Sequence, residues 1–213
     1  MNYMFLGLVS SNPEIAYNTL AQAKGHSVSI KRKRFCGWNK NIIKSGKYFY
    51  AFSHIPYHKL NLPDSCFTVT VFRDPVARVF SHYKMLRTYE QNKINHPCMK
   101  AEAPWIGVSF ADFVERIPDS HCLNQLFIFS SKYDPEEAVD NIRNVSVAFT
   151  GESFDAGVSA INRARNLRLV PIHIRKTEIE EQVDEKVWQR LKERLQLEYE
   201  MFELLKSEKV LVS

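Results

Sequence analysis

Apolar positions along the 213-residue chain fall into short runs and stripes separated by polar junctions. Asn2 to Val9 is a short apolar run, which reads as a buried strand. It leads into Ser10-Ser11-Asn12-Pro13-Glu14, a helix start, because Pro is favoured at the first helical position. Ile15 to Ala23 continues as a short helix, the chain breaks near Gly25, and Val28 to Arg34 reads as extended. Tyr48 to Ile55 is a further strand candidate. Cys66 to Phe72 is rich in β-branched and aromatic residues and predicts a buried strand. Arg73-Asp74-Pro75 follows, with Asp74 as cap and Pro75 as opener. Val76, Val79, Phe80, Tyr83 and Leu86 then recur at helical spacing, so this helix runs to about Thr88. Residues 90–105 show no period and read as a surface loop. Phe110 to Arg116 and Cys122 to Phe129 predict short helices. Asp134 to Arg143 predicts a helix capped by Asp134, Val145 to Thr150 a strand, and Phe154 to Leu167 a helix. Ile179, Val183, Val187, Leu191, Leu195, Tyr199 and Phe202 form the stripe of one long amphipathic helix, read as packed on the chain's own sheet. Strand, tight polar junction and helix make the unit of a parallel α/β sheet. No repeat and no interdomain linker interrupts the pattern, so residues 1–213 read as a single domain.

Composition narrows the class. With 45% hydrophobic and 25% charged residues the chain is not disordered, and seven Gly and nine Pro exclude collagen-like or linker-like material. No apolar stretch approaches the roughly 18 residues of a membrane span. Met4 to Val9 is too short for a signal peptide and has no basic residues before it. The net charge is +5, but it is unevenly placed. No acidic residue lies between Glu14 and Asp64. The same stretch holds nine Lys and Arg, so the remainder of the chain carries −4. Such polarity attracts anionic ligands: phosphate, sulfate or an acidic polymer. A solvated basic surface is the alternative. The four cysteines form no CxxC pair, which leaves no zinc motif and no disulfide scaffold, although one or two disulfides stay open. Cys66 reads as a buried small residue. The triplet Asn144-Val145-Ser146 is a glycosylation sequon, a pattern common by chance.

The chemistry concentrates at Arg73. It stands at the carboxyl end of a strand and the amino end of a helix, where open α/β sheets bind ligands. Backbone N–H groups and the helix dipole favour an anion there, and Arg adds a fork of donors. Ser81 lies about two turns down the helix and is placed to reach a ligand lying along it. Spacing alone leaves this reading level with a surface Arg–Asp pair and a solvent-facing Ser.

The run from Phe67 to Tyr83, with Arg73-Asp74-Pro75 and Ser81 in order, resembles the 3′-phosphate motif of carbohydrate sulfotransferases. It is most similar to the uronyl and heparan sulfate 2-O-sulfotransferase branch. Phe52-Ser53-His54-Ile55-Pro56-Tyr57, Asn124-Gln125-Leu126-Phe127, Val147 to Phe154, and Ile174-Arg175-Lys176-Thr177 before a long helix resemble further segments of that family. The likeness covers roughly residues 45 to 207 and is weakest across residues 90–120. It implies an α/β, three-layer P-loop-like fold with a central, mainly parallel sheet flanked by helices. It implies 3′-phosphoadenosine 5′-phosphosulfate (PAPS) as sulfuryl donor, with Arg73 and Ser81 on the 3′-phosphate and Lys176 and Thr177 on phosphate or adenine. His54 is the implied base, with His58 and His82 as alternates. The implied acceptor is a hydroxyl of a carbohydrate, an anionic glycan held by the basic stretch Lys31 to Arg34. The chemistry needs no metal.

The N-terminal segment departs from the family pattern. The family's 5′-phosphosulfate loop carries Lys and Gly where Ser11 to Leu20 places Glu14 and Tyr17. Glu14 repels a sulfate, and Tyr17 crowds a turn that wants no side chain. Three explanations stay open: a non-catalytic relative, an N-terminus missing or misassigned, or a basic residue such as Lys24 or Lys31 substituting in space. The competing function is therefore a homologue that binds a nucleotide or anionic glycan without transfer. Nucleic-acid binding through the basic stretch has no recognition motif behind it and is not expected. Without a membrane span the expected compartment is the cytoplasm, or the Golgi lumen if an N-terminal anchor precedes this sequence.

Overall fold

The computed structural model describes residues 1–172 and 181–212. The chain begins with α1 (Asn2–Gly7), α2 (Pro13–Gln22), β1 (Ser27–Ile30), β2 (Lys33–Gly37), α3 (Lys40–Ser45), β3 (Tyr50–Phe52) and β4 (Val69–Phe72). A helical stretch follows: α4 (Pro75–Gln91), α5 (Met99–Ile106), α6 (Phe110–Arg116), α7 (Asp119–Cys122), α8 (Asn124–Phe129) and α9 (Pro135–Arg143). The described chain closes with β5 (Val147–Thr150), α10 (Phe154–Arg165), α11 (Glu185–Arg194) and α12 (Gln196–Ser207). The fold is mixed α/β, with helices predominant and small sheets. It divides into two compact units. Unit 1 comprises Met1–Val71, Asp140–His173 and Lys209–Ser213; unit 2 comprises Phe72–Val139 and Ile174–Glu208.

Unit 1 is built around Leu6, Leu20, Phe35, Phe149, Val158 and Ile161, all buried. β1 and β2 form an antiparallel hairpin, paired from Ser27 with Cys36 to Ile30 with Lys33. The two-residue turn between them, Lys31-Arg32, has φ of 47° and 61°. Positive φ at both turn residues matches the right-handed twist of the flanking strands. β2 runs parallel to β3, with Gly37 opposite Phe52. β4 pairs with β5 in a two-stranded sheet. Val212 adds a parallel bridge to Phe149. Helix α10 comes down on β5 at Gly157, where a Cβ would stand 2.3 Å from the Phe149 ring. Glycine there lets helix and strand approach as closely as they do.

Unit 2 packs Val79, Tyr83 and Leu86 of α4 against Phe110 and Phe113 of α6 and Leu191 of α11. The caps at Asp74 and Asp134 are those the sequence announces. Asp74 Oδ1 accepts the Ala77 N–H at 2.7 Å at the head of α4. Asp134 Oδ1 accepts the N–H groups of Glu136 and Glu137 at the head of α9. Ser109 and Asp112 form a reciprocal capping box on α6.

Several expectations are corrected. Asn2 to Val9 is not a strand: its core is helix α1, with Met4, Phe5, Leu6 and Val9 all buried. An apolar run this short has no period that separates strand from helix, and Met and Leu are good helix formers. Residues 90–105 are not all loop, since α5 begins at Met99 and carries Pro104 inside it. The C-terminal stripe is two helices rather than one, with Leu195 between them at φ −95°, ψ 5°. Ile179 of that stripe lies outside the described residues. Cys66 is half-buried, with its Sγ 3.4 Å from the Tyr48 hydroxyl. All four cysteines are free thiols.

Candidate functional site

The strand-to-helix junction from β4 to α4 is the best-defined candidate, and Phe72–Val139 belongs to unit 2. β4 ends at Phe72, whose buried ring packs against Phe129 and Phe202. Pro75 opens α4, so Arg73 and Asp74 are the only residues between strand and helix. Both main-chain polar groups of Arg73 are held. Its N–H donates to Gln125 Oε1 at 2.8 Å, and its carbonyl accepts from Gln125 Nε2 at 3.0 Å. Its side chain is exposed and makes no hydrogen bond or ion pair among the described residues.

Behind Gln125 stands Glu198 of α12, whose carboxylate is fully buried. It accepts the N–H groups of Gln125 at 2.7 Å and Leu126 at 3.3 Å, and Gln125 Nε2 at 3.3 Å. Arg78 of α4 pairs with it at 3.4 Å. Arg78 also donates to the carbonyls of His121 and Cys122. A buried charge is tolerated when it is both paired and hydrogen-bonded, and Glu198 is both. Sequence reading missed this network, although it left a signal. Glu198 follows Leu191 and Leu195 and precedes Phe202 at helical spacing, a carboxylate on the apolar face.

Asp74 occupies part of the helix end that an anion would use. Its Oδ2 takes a long contact from the Tyr199 hydroxyl at 3.4 Å while Oδ1 caps Ala77. Burial and the Asp74 carboxylate push the Tyr199 hydroxyl above its ordinary range. The Ala77 and Arg78 amides of this helix end are thus already in use, and the exposed Arg73 side chain is the cation beside them. Ser81 lies on α4, half-buried and with no side-chain hydrogen bond among the described residues. It stands six residues beyond Pro75, roughly 9 Å along the axis.

His54 belongs to unit 1. It is exposed and follows β3 by two residues, at the end where β2 and β3 finish in parallel register. Ser53 Oγ accepts the Ile55 N–H at 2.9 Å, which folds the backbone around His54. Lys176 and Thr177 lie outside the described residues.

The segment expected to grip a 5′-phosphosulfate is the start of α2. Asn12 Oδ1 caps it by accepting the Ile15 N–H at 3.1 Å. The Asn12 N–H donates to Ser10 Oγ at 3.2 Å, and the Ser10 hydroxyl donates to the Asn12 carbonyl at 3.0 Å. Glu14 is exposed in the first turn. Tyr17 packs with Tyr3, Trp38 and Phe52, so its ring belongs to an aromatic cluster. These residues do not make a cradle for a doubly anionic group: the Asn12 and Ile15 amides are in use and the charge in the first turn, Glu14, is negative. The residues at Arg73, in contrast, fit a phosphate.

Unit 2 carries a second polar cluster. His82 Nε2 lies 2.7 Å from Glu102 Oε2, joining α4 to α5. The His121 ring of α7 sits 6.3 Å from that of His82 and 4.6 Å from Trp105. Burial holds the His121 imidazole below its ordinary pKa; Glu102 opposes this, and His82 and Arg78 add to it.

Charge separates the two units. The sequence of unit 1 holds fourteen Lys and Arg against five acidic residues, a charge of +9. Unit 2 holds fifteen against nineteen, a charge of −4. Lys31, Arg32 and Arg34 of the β1–β2 hairpin are exposed, with Arg34 Nε donating to Ser27 Oγ at 2.9 Å. Lys33 lies over the Phe49 ring at 4.1 Å. Among the described residues no group of three or more His, Cys, Asp or Glu is placed to hold a metal ion. No described helix is long and apolar enough to cross a membrane. Compared with known proteins, the chain matches no family model, no curated protein and no solved structure.

Proposed function

We propose that this chain is a carbohydrate-sulfotransferase-like protein. In this reading it binds the 3′-phosphate end of PAPS through Arg73, with Ser81, Lys176 and Thr177 as further contacts, and directs the sulfuryl group to a carbohydrate hydroxyl. The observation that carries the reading is the junction itself. An exposed Arg73 guanidinium, without a partner among the described residues, rises from a main chain whose N–H and carbonyl are both held by Gln125. Arg suits a phosphate because its donors form a planar fork. PAPS when bound would supply the activated sulfuryl group. His54 is exposed at the end of the β2–β3 pair and has the chemistry to take the acceptor's proton near neutral pH. The nine basic residues between Glu14 and Asp64 favour an anionic glycan as acceptor. The corresponding fold is a three-layer, P-loop-like domain with a mainly parallel sheet.

A second reading is favoured by one observation, the closed and acidic start of α2 around Asn12 and Glu14. In that reading the chain binds 3′-phosphoadenosine 5′-phosphate (PAP), or an anionic glycan, and transfers nothing. Incubation with radiolabelled PAPS and a panel of glycans separates the two. The first reading expects label on a glycan with wild-type protein. It expects loss of transfer in His54→Ala by a factor of about 100 or more, with PAP affinity kept. Wild-type protein that binds PAP and labels no acceptor leaves the second reading standing and the first wrong.

A further inference from the structure

We infer that Gln125, braced by Glu198, is the positioning residue of the Arg73 site and gives that site its preference for a ligand bearing a 3′-phosphate. The inference rests on the reading that Arg73 holds that phosphate.

The amide of Gln125 takes both main-chain groups of Arg73, Nε2 donating to the carbonyl and Oε1 accepting the N–H. This is the pairing a neighbouring strand would supply, applied one residue beyond the end of β4. The amide cannot turn over. Nε2 also donates to Glu198 Oε2, and a reversed amide would set its oxygen against that carboxylate and against the Arg73 carbonyl. Glu198 is itself immobilised. It is fully buried and accepts two backbone N–H groups from the start of α8. Arg78 balances its charge, so the carboxylate does not turn the site against anions.

The result is a fixed main chain beneath an exposed guanidinium with no partner of its own among the described residues. Only the side-chain torsions of Arg73 remain to be ordered when an anion arrives, which is preorganisation. The same hydrogen bonds would also hold a junction that serves only stability. Loosening a merely structural junction would weaken every ligand alike. Loosening a positioning clamp would weaken only ligands that use the Arg73 side chain.

The experiment is calorimetric titration of the full chain with PAP and with adenosine 5′-phosphate (AMP), which lacks the 3′-phosphate. Wild type, Arg73→Ala and Gln125→Met are compared, each first shown to melt cooperatively. The expected result is a preference of wild type for PAP over AMP that Arg73→Ala abolishes. Gln125→Met should lose PAP affinity by about tenfold with AMP affinity kept. Should the Met variant not fold, Gln125→Asn, one methylene too short to span the Arg73 main chain, is read by the same ratio. Wild-type PAP affinity in a folded Gln125 variant, or an equal loss for both ligands, overturns the inference and leaves the Arg73 reading intact. Wild-type protein with no preference for PAP overturns the Arg73 reading, and the inference with it.

Discussion

His121 shows how a single residue ties the packing of unit 2 to pH. Its ring lies against Trp105 and near His82, and its carbonyl receives Arg78. The charged and titratable groups acting on it are Glu102, His82 and Arg78, and burial keeps its pKa below the ordinary value. In the window below about pH 6.5 the unfolded chain therefore binds a proton that the folded chain excludes. Stability rises with pH through that window and is lost as pH falls through it. Urea unfolding of the wild type at about pH 7.5 and about pH 5.5 should show the loss, and His121→Gln should flatten it. Equal losses in both proteins would place the effect elsewhere. Glu198 makes a related point about what a sequence discloses. Its place on the apolar stripe marks it as unusual, but its partners Gln125 and Arg78 lie 73 and 120 residues away. No local pattern connects them. Arg73 was legible as a candidate because strand, Asp-Pro junction and helix are local; its clamp was not.

Among the elements, those with explicit end signals were the readable ones. Asn12-Pro13, Asp74-Pro75 and Asp134-Pro135 each place a capping acceptor one residue before a Pro that fits the first helical turn. All three helices begin at those prolines. The hairpin β1–β2 was legible only as an extended stretch. Its turn is Lys31-Arg32, without the Asn or Gly that usually marks positive φ. Helix α5 was hidden by Pro97 and Pro104, which together read as loop. The split between α11 and α12 leaves the apolar stripe intact, so periodicity could not reveal it. Close approach of elements is likewise invisible in sequence, and Gly157 tests it. A Cβ at that position would fall within 2.3 Å of the Phe149 ring beneath it. Gly157→Ala should therefore destabilise by about 1–3 kcal/mol despite the better helix propensity of Ala. Chemical denaturation reads this directly, and a gain in stability would show that β5 and α10 separate at little cost.

For the whole molecule, the division of charge is the property most closely tied to function. The sequence of unit 1 carries a charge of +9 and that of unit 2 a charge of −4, so the basic unit is the one that attracts anionic ligands. Affinity for an anionic glycan should fall steeply between about 50 mM and about 300 mM salt, because exposed charges are screened beyond the Debye length. Salt-independent binding, read by titration with a sulfated oligosaccharide, would mean that the basic segment plays no part. The reading as a sulfotransferase-like protein stands or falls first on the nucleotide. The most direct measurement is calorimetric titration of wild type and Arg73→Ala with PAP. Saturable one-site binding by wild type, weakened by about tenfold or more in a folded Arg73→Ala, is the predicted result. Absence of PAP binding by wild type, or equal binding by both proteins, would contradict it.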